Sequence, residues 1–209
     1  MLFIWTFFEI VGTIAFAISG ALVGISRRMD IFGMLVLALS TAIGGGIIRD
    51  ILVGNIPPNS LKTSLYIIIT AVITLLIFVI YRDRRWRYET KRKVITKSYL
   101  IADALGLASF TVTGTAIGYS RYPEYTIFAV ILGLITAIGG GILRDILARR
   151  VPFVLREEIY ALPSIIGGIV YYVLVEYGYW YLASQVAFFV VFVLRMIGIK
   201  YHLNLPKVF

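Results

Sequence analysis

The chain has 209 residues, 60% of them hydrophobic and 15% charged, with a mean hydropathy of +0.91; soluble domains hold roughly 45–50% apolar residues, so no water-soluble fold could hide this much apolar surface. There is no cysteine and one histidine, His202 in the polar C-terminal tail, which excludes disulfides and thiolate chemistry and argues against a histidine metal site or a catalytic triad. The net charge of +9 does not point to nucleic acid, because the basic residues sit between hydrophobic runs instead of covering a soluble face.

Taken in chain order, the apolar runs predict seven membrane helices, at residues 2–25, 31–54, 60–81, 98–119, 125–148, 155–176 and 180–200. Each holds about 20 residues, enough to cross roughly 30 Å of hydrocarbon at about 1.5 Å per residue. The first run is not preceded by the basic region of a signal peptide, so it is read as a mature helix. The basic stretch at residues 82–97 (RDRRWRYETKRKVITK) is read as a cytoplasmic loop facing anionic lipid. With the N-terminus outside, 14 of the 20 Lys and Arg fall on the cytoplasmic side and only Lys62 and Arg121 on the other. The positive-inside rule therefore puts the N-terminus out and the C-terminus in.

The chain also resembles itself. Gly20-Ala21-Leu22-Val23-Gly24-Ile25-Ser26-Arg27 aligns with Gly114-Thr115-Ala116-Ile117-Gly118-Tyr119-Ser120-Arg121 at an offset of 94. TAIGGGIIRDIL from Thr41 aligns with TAIGGGILRDIL from Thr136 at an offset of 95, with eleven of twelve residues identical. Such duplication is sought before any motif. Each copy (about 2–81 and about 98–176) holds three spans, so the second must enter the membrane from the opposite side. The fold class is an all-α membrane domain spanning 1–209, with two inverted three-helix repeats and an extra helix at about 180–200. Inverted repeats place a solute site near the midplane, between the halves.

The repeated segments carry the candidate chemistry. Gly44, Gly45 and Gly46, and their counterparts Gly139, Gly140 and Gly141, each weaken a helix by about 1 kcal/mol relative to alanine. They are expected to bend or unwind spans two and five and to line a path; the competing reading is that they let helices approach closely. Gly20/Gly24 and Gly114/Gly118, spaced GxxxG, are read as packing surfaces. Arg49-Asp50 and Arg144-Asp145 follow one turn after the glycines, at a depth where ionised groups are costly unless paired. Glu9 aligns with Asp103, three residues before Gly12 and Gly106 respectively. Inversion brings Glu9 toward Arg49 and Asp50 at the outer end, and Asp103 toward Arg144 and Asp145 at the inner end. Each cluster has a formal charge of −1. Two roles stand open for them, as gates of a cation path or as static clamps. Ser19, Ser40, Thr41, Thr113 and Thr136 are candidate hydroxyls for the path. No nucleophile-base pair or metal-ligand set is apparent among the spans, so an enzyme, a cofactor and a tightly bound metal are not expected.

With its duplicated GGG-x-x-R-D segments, two three-helix repeats and seventh helix, the chain resembles the trimeric intracellular cation channel family, particularly its short prokaryotic members, over nearly its whole length. The resemblance implies a homotrimer with an hourglass pore in each protomer, lined by bent helices two and five and permeable to monovalent cations, chiefly potassium, which pass without binding tightly. It also implies a prokaryotic cell membrane and lipid partners, anionic ones among them. The basic fourth helix of animal members has no counterpart, since the interior of that span holds Asp103 and no Lys or Arg. Related bacterial sequences are labelled glycine transporters, so the alternative is a secondary carrier for a small solute such as glycine.

Overall fold

The computed structural model describes residues 2–82, 88–156 and 160–201. Among them it contains nine helices and no strand: α1 (Leu2–Ser26), α2 (Ile31–Leu52), α3 (Asn59–Lys62), α4 (Leu65–Arg82), α5 (Tyr88–Arg121), α6 (Thr126–Leu147), α7 (Phe153–Arg156), α8 (Leu162–Glu176) and α9 (Trp180–Tyr201). Six of these, α1, α2, α4, α5, α6 and α9, are long and apolar enough to cross a membrane, and α8 is a shorter apolar helix. The fold is all-α, with α1, α2 and α4 forming one three-helix repeat, α5, α6 and α8 its inverted copy, and α9 the added helix.

Three boundaries differ from those expected. The predicted third span, 60–81, is divided into α3 and α4, with Thr63 extended between them (φ −126°, ψ 145°). The predicted sixth span, 155–176, is divided in the same way into α7 and α8, and residues 157–159 lie outside the described residues. The fourth helix starts at Tyr88, ten residues before the expected 98, so residues 88–97 of the stretch read as a loop are helical. That stretch has no Gly or Pro to stop a helix, and its Glu, Lys and Arg are good helix formers. Apolarity locates only the part of a helix that lies in hydrocarbon. Residues 83–87 and the tail with His202 and Lys207 lie outside the described residues.

Four helices stop by one device. A residue with left-handed φ (Arg28 57°, Gly54 71°, Arg149 51°, Gly178 84°) ends α1, α2, α6 and α8. The next amide then donates to the carbonyl five residues back, as in Asn55 to Asp50 (2.8 Å) and Arg150 to Asp145 (3.0 Å). This satisfies carbonyls that the helix end leaves open. Gly54 and Arg149 are repeat counterparts, so one copy makes this turn with glycine and the other with a residue for which it costs about 1–2 kcal/mol.

Close packing within each copy follows the GxxxG glycines, as the sequence suggests. A Cβ at Gly20 would stand 2.6 Å from the Cα of Ala38, and one at Gly118 would stand 2.7 Å from the Cα of Ala129. Small residues therefore press α1 onto α2 and α5 onto α6. The outer face of α4 presents Leu65, Ile68, Val72, Leu75 and Val79, all exposed. The stripe has helical spacing and is too apolar to face water.

Candidate functional site

The two triple-glycine segments meet at the centre of the molecule, where α2 crosses α6. Both helices stay α-helical through the glycines, which corrects the expectation of unwinding; a bend needs no break in the helix. Three glycines forfeit about 3 kcal/mol of helix propensity, whereas each backbone group left unpaired in hydrocarbon costs several kcal/mol. Helix wins. Within each segment the glycines have different neighbours. The first faces a side chain of the other helix, Gly44 against Leu143 and Gly139 against Ile48. The second sets the crossing: a Cβ at Gly45 would collide with the carbonyl of Thr136, and one at Gly140 with that of Thr41. The third faces its own arginine, with Arg49 Nη2 3.8 Å from a Cβ at Gly46 and Arg144 Nη2 3.4 Å from one at Gly141.

The first charge cluster gathers on Arg49, whose side chain is 2% exposed. Its Nη1 donates to Glu9 Oε1 (2.8 Å) and its Nε to Asp50 Oδ1 (2.8 Å). Glu9 Oε2 accepts from the Tyr66 hydroxyl (2.8 Å), and Asp50 Oδ2 accepts from the backbone amide of Asn59, the first residue of α3 (2.6 Å). Glu9 is 17% exposed and, with Asp50, Asn55, Lys62 and Tyr66, borders a cavity of about 470 Å³.

The second cluster repeats this plan around Arg144, which is fully buried. Its Nη1 donates to Asp103 Oδ1 and to Ser19 Oγ (2.6 Å each), and its Nε to Asp145 Oδ1 (2.7 Å). Asp145 Oδ2 accepts from the amide of Phe153, the first residue of α7 (2.7 Å). The pairings expected from the repeat, Glu9 with Arg49 and Asp103 with Arg144, are both present. The second cluster also contains a residue that the sequence reading missed: Arg150 donates to Asp145 Oδ1 through Nε (2.9 Å) and Nη2 (2.6 Å), and to the Tyr99 hydroxyl (3.0 Å). The formal charge expected for this cluster, −1, is therefore corrected to zero, while the Glu9 cluster keeps −1. Arg150 stands where the first copy has Asn55, and the adjacent basic pair Arg149-Arg150 just after α6 was the available signal.

Tyr66 and Tyr160, 94 residues apart, were also not anticipated. Tyr66 completes the Glu9 cluster, whereas the buried Tyr160 hydroxyl, Arg144 Nη2 and Asp103 Oδ2 have no hydrogen-bond partner among the described residues. Arg195 of the added helix α9 lies over the Tyr160 ring, 4.7 Å from its centroid. The candidate hydroxyls mostly serve their own helices: Ser40, Thr41 and Thr136 donate to the carbonyls of Val36, Leu37 and Leu132 at 2.6–2.8 Å. Thr113 makes a long bond to Phe110 O (3.4 Å), and Ser19 alone among them reaches a cluster.

The arrangement is a partly exposed centre of formal charge −1 beside a cavity and a buried neutral one, joined through a close helix crossing. Comparison with known proteins places it among membrane proteins of the same build. A family model described as Glycine transporter matches residues 6–82 and 100–176. The inner membrane protein YadS of Escherichia coli is 39% identical over 213 residues, covering 99% of this chain and 96% of that protein. The membrane protein YvgT of Bacillus subtilis is 33% identical over 208 residues, covering 97% and 96%. Among solved structures, a prokaryotic TRIC channel in 0.5 M KCl superposes with a TM-score of 0.90 at 37% identity, covering 98% of this chain and all of that one. The TRIC trimeric intracellular cation channel orthologue from Rhodobacter sphaeroides gives a TM-score of 0.84 at 30% identity, covering 95% and 98%.

Proposed function

Since this chain belongs to the trimeric intracellular cation channel family, we propose that it is a homotrimeric, potassium-permeable channel of a bacterial cell membrane, with one path per protomer along the crossing of α2 and α6. Its solved relatives are cation channels and not enzymes. The observation that supports cation passage here is the Glu9 cluster, where two acids share one arginine beside a 470 Å³ cavity. The two carboxylates stand on one wall of that cavity, with Lys62 and Arg121 also in its lining, and carboxylate oxygens at the Glu9 end attract a passing cation, as Asp and Glu do in cation channels. Potassium passes without a resident site, and no cofactor is required. The Glu9 cluster faces outside, and the residue 82–97 stretch and the C-terminus face the cytoplasm beside anionic lipid.

Purified protein in a planar bilayer under a KCl gradient should give unitary currents that reverse near the potassium equilibrium potential. Glu9→Gln should move that reversal potential toward zero while currents persist. Saturable glycine uptake without unitary currents would replace the channel by a carrier. For orientation, Lys62→Cys and Thr90→Cys, introduced singly into a chain that has no cysteine of its own, should label from opposite sides of intact cells. Labelling of both from one side would overturn the inverted arrangement.

A further inference from the structure

Gly12 and Gly106 lie three residues after Glu9 and Asp103, and neither charge cluster uses them. Each instead seats an aromatic ring from the other repeat. The Phe110 ring lies 3.1 Å from where a Cβ on Gly12 would be, and the Phe16 ring occupies the space of a Cβ on Gly106. Phe16 and Phe110 are repeat counterparts, and their ring centroids are 5.2 Å apart, tilted by 42°. Phe16 is fully buried and Phe110 is 5% exposed, packed with Ala42, Ala137 and Leu107. The pair is apolar, almost wholly buried and set by the duplication on the line where the two copies meet.

Its position along the helices separates the two charge clusters. On α1, residues 9, 12, 16 and 19 share one face, with Glu9 in one cluster and Ser19 in the other. Phe16 stands about 10 Å along the axis from Glu9 and about 4.5 Å from Ser19, at about 1.5 Å per residue. On α5 the order is mirrored, with Phe110 seven residues from Asp103. Phe110 also walls a cavity of about 20 Å³ shared with Glu9, Thr13, Gly46, Arg49 and Tyr66. Such a space holds about one water-sized particle, and it shares Glu9 and Tyr66 with the 470 Å³ cavity beyond. Beyond the rings lie the Tyr160 hydroxyl and Arg144 Nη2, within 3.4 Å of where a Cβ on Gly141 would be and without hydrogen-bond partners at those atoms among the described residues. Polar space thus approaches the ring pair from the Glu9 side, and bare polar atoms stand on the other.

We propose that Phe16 and Phe110 form a hydrophobic plug across the ion path, and that conduction requires the rings to leave their glycine seats so that the two polar halves join. A dry aromatic constriction blocks an ion by refusing its hydration shell, with no need for charge. The plug therefore sets how often the path is open, whereas the acids set which ion enters. This rests on the channel reading above, and the two failures are distinguishable: no current from the wild type or from the ring variants would sink the channel reading and the plug with it, whereas wild-type currents that the ring variants leave unaltered would sink the plug alone.

The test uses full-length protein in planar bilayers. Phe16→Ala with Phe110→Ala should raise open probability several-fold and leave the reversal potential in a KCl gradient unchanged. Phe110→Leu should act in the same direction but more weakly, and it serves if the double variant does not assemble. Phe110→Cys, in a chain without other cysteines, should react with a small methanethiosulfonate reagent during current flow and change the current. The plug is overturned if assembled Leu or Ala variants keep wild-type open probability, or if the cysteine in a conducting channel is never modified.

Discussion

Replacing Arg144 with methionine should destabilise the folded protein by about 3–5 kcal/mol, the usual cost of stripping a buried acid of its partner, while Arg49→Met should cost clearly less. The two arginines are repeat counterparts with the same acid partners in sequence, so the difference isolates their surroundings. Without Arg144, Asp103 keeps no ion partner among the described residues and is fully buried, although Asp145 retains Arg150 and the Phe153 amide. Without Arg49, Glu9 still has the Tyr66 hydroxyl, and both Glu9 and Asp50 border a cavity large enough for water. Thermal melting of the detergent-solubilised protein checks the order. Adding Asp103→Asn to Arg144→Met should recover part of the loss, because removing both charges leaves no bare ion. Equal melting of the two single variants would mean that burial does not separate the clusters.

Alanine at Gly45 or Gly140 should also be severely disruptive, and alanine at Gly46 should not. A methyl group at either of the first two sites meets a backbone carbonyl across the helix crossing, and backbone cannot swing aside as a side-chain tip can. Overpacking of this kind costs about 1–3 kcal/mol or more per site, so the double variant should lose its native melting transition. At Gly46 the nearest atom is Arg49 Nη2 at 3.8 Å, which is ordinary contact, and helix propensity favours alanine by up to about 1 kcal/mol. Were the glycines needed for flexibility alone, all three substitutions would spare stability and depress current together. Melting curves paired with bilayer recordings distinguish the outcomes.

Much of this arrangement was written plainly in the sequence. The duplication aligned Glu9 with Asp103 and placed each opposite an arginine, and the ion pairs form as that alignment requires. What escaped was whatever depends on the space between helices. The triple glycine reads locally as a weak point, and only the approach of α2 to α6 reveals that its absent side chains are filled by carbonyls. Arg150 sits beyond the end of a predicted span, where a basic residue ordinarily faces the cytoplasm. The left-handed turn at Arg149 carries it back onto Asp145. The breaks after α3 and after α7 fall on polar residues, Lys62-Thr63-Ser64 and Arg156-Glu157-Glu158, a signal that counting about 20 residues per span overran. Tyr160 and the phenylalanine pair read as ordinary core aromatics until the glycine beneath each ring is seen.

Asp50 and Asp145 occupy the last turn of their helices and at the same time hold the first amide of the next, Asn59 and Phe153. Each corner of the chain is therefore pinned by a carboxylate that is itself pinned by an arginine. From Asp50 this mooring continues through the four residues of α3 toward α4, the helix with the exposed apolar stripe. A single four-residue helix thus stands between the exposed apolar face of α4 and the centre built on Glu9, Arg49 and Asp50.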